Sequence, residues 1–211
     1  IVAYGLLGIV AGLLAGLFGV GGGTIIVPVL LLCFGMQGVD PAVQMHLAVG
    51  TSLASIVITS ISSTWAHHNA NAVRWSLAAW LTPGLCAGVW LGAEFATALH
   101  GNTLKCLFGI FVLLVALQMA FAWQPTLIRD LPGRVGMALA GMVIGWVSAL
   151  FGIGGGSLTV PFLGICRVRM QEAVATAAAC GFPIAFAGAL AYAWQGWWVG
   201  DLPAHSAGFV Y

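Results

Sequence analysis

Long stretches without any ionised side chain limit this chain more than any other feature of its sequence. A helix needs about 20 apolar residues to cross the hydrocarbon core of a bilayer, and several of these stretches are longer. Only 5% of the residues are charged, whereas a soluble domain carries about a quarter. We therefore predict an all-α polytopic membrane protein, embedded in a lipid bilayer. The uncharged runs are residues 1–39, 41–73, 75–93, 106–128, 135–166 and 173–200.

Composition and motifs also exclude several classes of protein. The formal net charge is only +1, so we expect no nucleic-acid partner. The sequence shows no paired carboxylates, no Ser/His dyad on neighbouring helical turns and no set of residues with metal-ligand spacing. We therefore predict that the protein is not an enzyme and needs neither a metal ion nor a cofactor.

One glycine-rich pattern occurs twice. Residues 17–28 read LFGVGGGTIIVP, and residues 150–161 read LFGIGGGSLTVP. Most positions are identical, and two others exchange Val for Ile and Thr for Ser. Because many membrane transporters are built from two related halves, the duplication predicts two repeats. We assign the first repeat to residues 1–123, a linker to 124–134 and the second repeat to 135–211.

The hydrophobic runs predict helical segments of unequal number in the two repeats. The first repeat has a broken helix and three spans. The second has a broken helix and one span, so we expect its C-terminal helices to be missing. Either the sequence is a fragment, which we favour, or the second repeat is truncated. Gly84, Gly88 and Gly92 recur at four-residue spacing and predict close helix packing. The predicted segments are 3–34, 42–66, 75–99, 103–123, 135–166 and 171–194.

Glycines interrupt the first and fifth segments. We expect residues 19–23 and 152–156 to be non-helical, to lie within the membrane and to face each other. Each broken segment is either a spanning helix with an unwound middle or a re-entrant hairpin. With hairpins, five of the six cations lie on one side and only Lys105 on the other, whereas spanning helices divide them three to three. The asymmetry expected of membrane proteins favours hairpins, which would make the two repeats inverted.

The residues at each break predict an anion-binding site. Thr24 and Ser157 are natural N-caps for the second half-helices, whose N-termini carry N–H groups and a partial positive charge. Glycine also lets a ligand approach the backbone closely. The alternative, that the glycines only permit tight helix crossing, stays open. The candidate substrate-binding residues at the breaks are Gly21, Gly22, Gly23, Thr24, Gly154, Gly155, Gly156 and Ser157.

Two ionisable residues are candidates for proton coupling. His46 lies about one turn into the second segment, and a histidine can change its charge near neutral pH. Glu94 is a carboxylate inside the third predicted span, and ionisable groups within spans often serve function. Each has a structural alternative: His46 as a hydrogen-bonded polar group near a helix end, and Glu94 as an anchor in the headgroup region.

Several stretches together resemble the TauE/SafE family of sulfite and organosulfonate exporters. The resemblance covers nearly the whole chain and implies a multi-pass transporter of a bacterial inner membrane, which moves a small sulfur-containing anion. It also places Gly50, Thr51 and Ser52 in the site, so Thr51 and Ser52 join the candidate substrate-binding residues. The matching stretch of the second repeat, residues 180–183, reads CGFP, so a symmetric site is not expected. The stretches are LFGVGGGTIIVPVL, AVGTS, NAVRW, LGAEFATALHGNTLKCLFGIF and LFGIGGGSLTVPFL.

Two functions stay open after this reading. The first is a secondary transporter that exports or imports sulfite, a sulfonate or a similar anion, bound at the half-helix N-termini near the bilayer midplane. The second is a passive channel for small solutes, formed by facing re-entrant hairpins. The direction of transport, the coupling ion and the oligomeric state, a homo-oligomer included, are open as well.

Overall fold

The computed structural model describes residues 22–121, 131–199, 202–203 and 206–211. Five helices in this part of the chain are long and apolar enough to cross a membrane, which confirms the predicted helical class. The first predicted segment up to and including Gly21, and most of the linker, lie outside the described residues. The described helices are α1 (Gly23–Met36), α2 (Pro41–Asn69), α3 (Trp75–Ala98), α4 (Gly101–Ala120), α5 (Arg134–Phe151), α6 (Gly156–Ile165) and α7 (Met170–Gly196).

Local signals explain where several helices begin and end. The Asp40 side chain accepts a hydrogen bond from the Ala42 N–H at 2.8 Å, and Pro41 occupies the first helical position of α2. Helix α5 ends at Gly152, which has a φ of 66° and so takes a left-handed conformation that favours glycine. The five helices of spanning length begin within a few residues of the predicted starts.

Helices α3 and α5 pack backbone against backbone. A methyl group on Gly84 would overlap the carbonyl oxygen of Ala138, and one on Gly88 would overlap that of Met142. The contact needs glycine on both sides, because a methyl group on Gly145 of α5 would overlap the carbonyl oxygen of Leu85. The predicted packing role of the α3 glycines is confirmed. Since the contacts advance along both helices together, α3 and α5 run parallel.

Charged and polar contacts show which helices start at the same end of the bundle. At one end, the Arg74 Nε lies 2.9 Å from a Glu172 carboxylate oxygen, and the Arg134 guanidinium lies 5.6 Å above the Trp80 ring. We call this the arginine end; α3, α5 and α7 all begin there. At the other end, the Lys105 ammonium donates to the Gln44 amide oxygen at 3.0 Å and joins the starts of α2 and α4. We call this the lysine end.

The chain returns to the arginine end after the second break. Helix α5 starts at that end, and α7 starts there again after α6, so the path through α5, the break and α6 turns back as a hairpin does. Helix α5 alone has 18 residues and qualifies as a span, whereas α6 has only 10. The two arms are therefore unequal in length.

Two helix pairs, α1–α2 and α6–α7, run in opposite directions through the bundle. Helix α2 starts at the lysine end and α7 at the arginine end, and their contacts are antiparallel: the Thr64 hydroxyl donates to the Ala178 carbonyl, while Gly50 lies beside Tyr192. Helix α1 leads towards the lysine end and α6 towards the arginine end. Inverted repeats require this arrangement, although the inversion of the whole repeats stays a prediction.

Candidate functional site

The start of α1 meets the second glycine break inside the bundle. A methyl group on Gly23 would overlap the carbonyl oxygen of Gly152 and lie only 2.8 Å from the Cα of Ile153. Both glycines are buried. The start of α1 is therefore in direct backbone contact with the break between α5 and α6. Residues 19–21 of the first predicted break lie outside the described residues, so the facing of the two whole breaks stays a prediction.

The second break lies beside the middle of helix α2. A methyl group on Gly152 would lie 3.1 Å from the Cα of Val49, and one on Gly154 would lie 3.0 Å from a methyl carbon of Ile56. At 1.5 Å per residue, these α2 residues are roughly 12–22 Å from the start of that helix. The break is thus well inside the bundle, at neither the arginine end nor the lysine end.

The backbone at the breaks corrects two predictions. Residues 152–155 are non-helical as expected, but Gly23 and Gly156 are already helical, as the first residues of α1 and α6. The first turn of each helix is closed by hydrogen bonds to the carbonyl of Gly22 or Gly155, which are therefore the N-caps.

The prediction that Thr24 and Ser157 are N-caps is therefore wrong. Both lie at the second helical position. The cap positions are occupied by Gly22 and Gly155, which have no side chain to cap the helix. Of the other candidates at the breaks, Gly22 and Gly23 lie at the start of α1 and Gly154, Gly155 and Gly156 at the start of α6, whereas Gly21 lies outside the described residues. Gly155 needs to be glycine, because its φ of 76° is rarely adopted by other residues.

Of the two hydroxyl candidates on α2, Ser52 reaches the break. Its fully buried hydroxyl donates to the carbonyl of Gly152 at 2.9 Å. The hydroxyl of Thr51 instead accepts a bond from the backbone N–H of Tyr211 at 3.0 Å. Adjacent residues of a helix point about 100° apart, so the two side chains cannot face the same spot. Ser52 acts on the break by holding its backbone in place.

The two coupling candidates lie on α2 and near the end of α3. The His46 ring is buried, and its Nε2 lies 3.0 Å from the carbonyl oxygen of Ala96, to which an N–H there donates. The same ring lies 5.3 Å from the ring of Phe209, and no described residue bonds its Nδ1. Glu94 is exposed, within the last turns of α3. The bond to Ala96 agrees with the structural alternative, in which His46 is a hydrogen-bonded polar group. The ring's Nδ1 bonds no described residue.

Sequence reasoning missed a polar group beside the break. Thr159 is fully buried in the first turns of α6, and none of the described residues bonds its hydroxyl. A signal existed in the duplicated pattern, since the position that is Ile26 in the first copy is Thr159 in the second. Polar replacement at an otherwise apolar repeat position could have identified it.

Five apolar helices of spanning length, with the start of α1 packed against the glycine break that leads into α6, define a polytopic helical membrane protein. The family model described as sulfite exporter TauE/SafE matches residues 4–209. The chain therefore belongs to the TauE/SafE family of membrane transporters.

Relatives from distant organisms agree with this assignment. The chain is 32% identical over 207 residues to a probable membrane transporter protein of Haemophilus influenzae, covering 98% of this chain and 78% of the relative. It is 31% identical over 210 residues to a probable membrane transporter protein of Methanocaldococcus jannaschii, covering 98% and 74%. No solved structure matches the chain significantly.

Proposed function

We propose that the protein is a secondary transporter of the inner membrane for a small sulfur-containing anion, sulfite or a sulfonate. The observation that carries the proposal is the backbone contact of Gly23, the first residue of α1, with Gly152 in the break that leads into α6. The name of the family supports the substrate class, and the opposite directions of α1–α2 and α6–α7 support inverted repeats.

Electrostatics favours an anion at this place. An anion inside a bilayer needs compensating positive charge, and the described cations lie near the ends of helices, at the arginine end and the lysine end. A helix N-terminus supplies partial positive charge and N–H donors at the depth of the break. Gly156 and Ser157, in the first turn of α6, are only half-buried, so a small ligand can approach them. We therefore place the substrate's charged oxygens at this turn.

A substitution at Gly155 tests the site. Gly155→Ala strains a left-handed residue and brings a methyl group onto Ile184, so we expect it to distort the start of α6 and to lower sulfite transport strongly. Gly164→Ala is the matched control, because Gly164 lies in the last turn of the same helix with nothing within 4 Å of the added methyl group. Transport is measured as sulfite flux into liposomes that contain each purified variant.

The flux measurements also separate the alternatives. A transporter gives flux that saturates with sulfite, whereas a passive channel gives flux that rises in proportion to it. Normal flux in Gly155→Ala would leave the glycines as packing devices only. If His46 couples transport to protons, His46→Asn should abolish the response of the flux to a pH gradient while sulfite binding persists.

A further inference from the structure

We propose that Thr159 is a substrate-binding residue, whose hydroxyl bonds an oxygen of the anion and makes the N-terminus of α6, not that of α1, the principal anion site. The proposal rests on the proposed function, since it takes the substrate to be an oxyanion bound at the break. It adds a residue that neither the duplicated glycines nor the family resemblance identifies.

The hydroxyls of Thr159 and Ser148 are the two buried hydroxyls in the described part of the chain that bond no described residue. Ser55, Thr82 and Thr97 each donate to the carbonyl four residues earlier, at 2.7–3.0 Å. Thr159 does not, although its backbone N–H does bond the Gly155 carbonyl, at 2.8 Å. A fully buried hydroxyl without a partner destabilises a protein, so this group is suited to a ligand that supplies the missing bond.

The position of the hydroxyl matches the N-terminus of α6. Side chains of a helix tilt towards its N-terminus, and the Thr159 oxygen lies 3.5 Å from the place that a Cβ would take on Gly155. The first N–H groups of a helix have no partner within it and point the same way. The hydroxyl and the first turn of α6 can therefore bond the same oxyanion.

The first repeat lacks this group at an otherwise similar helix start. The Ile26 N–H bonds the Gly22 carbonyl at 2.9 Å, which matches the bond from Thr159 to Gly155. The nearest atom to a Cβ on Gly22 is a methyl carbon of Ile26, at 3.3 Å. An apolar side chain thus stands at the α1 N-terminus where a hydroxyl stands at the α6 N-terminus. We infer that the two half-helices are not equivalent and that α6 binds the charged oxygens.

Paired substitutions test the hydroxyl by itself. Thr159→Ser and Thr159→Ala both remove the methyl group, and only the serine keeps the hydroxyl. We expect the alanine variant to bind sulfite at least about tenfold more weakly than the serine variant, the usual size of a bond between a hydroxyl and a charged oxygen. Thr159→Val, which keeps the shape of threonine, should weaken binding in the same way. Binding is measured by calorimetry on the purified protein, with sulfite and with methanesulfonate.

A matched control removes another buried hydroxyl without a described partner. Ser148 is fully buried in the last turn of α5, where helix carbonyls disfavour an anion. Ser148→Ala should leave sulfite affinity unchanged. Equal affinity of the Thr159→Ser and Thr159→Ala variants, with binding lost in Gly155→Ala, would overturn the role of Thr159 and leave the proposed function standing. Failure of the unaltered protein to bind either anion would overturn the proposed function, and the role of Thr159 with it.

Discussion

Loss of the hydrogen bond from Ser52 to Gly152 should lower the free energy of unfolding by an amount that follows from the burial of the two residues. Ser52→Ala removes the donor and leaves the carbonyl of the buried residue Gly152 without its hydrogen bond. A polar group left unsatisfied in a protein interior costs about 1–3 kcal/mol. Side-chain hydrogen bonds between membrane helices are on average worth less, about 0.6 kcal/mol with a maximum near 1.7. We expect a loss of about 1–2 kcal/mol, because the carbonyl lies in a break and not in a helix that could re-form the bond.

The same helix provides a matched control. The Ser55 hydroxyl also makes a bond of 2.9 Å, but it is exposed and donates to the carbonyl of Thr51 in its own helix. Ser55→Ala should change the free energy of unfolding by less than about 0.5 kcal/mol, since such back-bonding adds little to helix stability.

Urea unfolding in detergent micelles, followed by tryptophan fluorescence, compares the two variants. A loss of about 1–2 kcal/mol changes the ratio of folded to unfolded protein by about 5- to 30-fold and shifts the midpoint at unchanged slope. If Ser52→Ala and Ser55→Ala unfold at the same urea concentration, the Gly152 carbonyl has found another partner. The reasoning that Ser52 holds the break in place would then be wrong.

Two further predictions concern the packing and the topology of the bundle. Gly88→Leu should abolish the recovery of folded, monodisperse protein, because the side chain would displace the Met142 backbone; Gly109→Leu, with nothing within 4 Å, should be tolerated in the same size-exclusion assay. In a background without other cysteines, a membrane-impermeant maleimide applied from outside the cell should label Lys105→Cys and leave Arg74→Cys unlabelled, since the arginine end is expected to be cytoplasmic; the reverse pattern would invert the topology.

The sequence alone predicted the features that depend on local patterns. Uncharged runs set the membrane class and the spans, because length and hydropathy are properties of one segment at a time. The four-residue spacing of Gly84, Gly88 and Gly92 predicted a packing face for the same reason, since it lies within one helix. The duplicated glycines predicted a break at residues 152–156, of which 152–155 are non-helical, and the approach of this break to the residues around Gly23. These inferences needed no knowledge of which helix packs on which.

The tertiary structure decided what depends on rotation and depth of one helix against another. Thr51 and Ser52 are adjacent in sequence, yet only Ser52 meets Gly152, one hundred residues away, because each step along a helix turns the side chain by about 100°. The pairing of His46 with Ala96 and the burial of Thr159 were equally inaccessible to sequence reasoning. A helix pattern states which residues share a face, and only packing determines what that face touches.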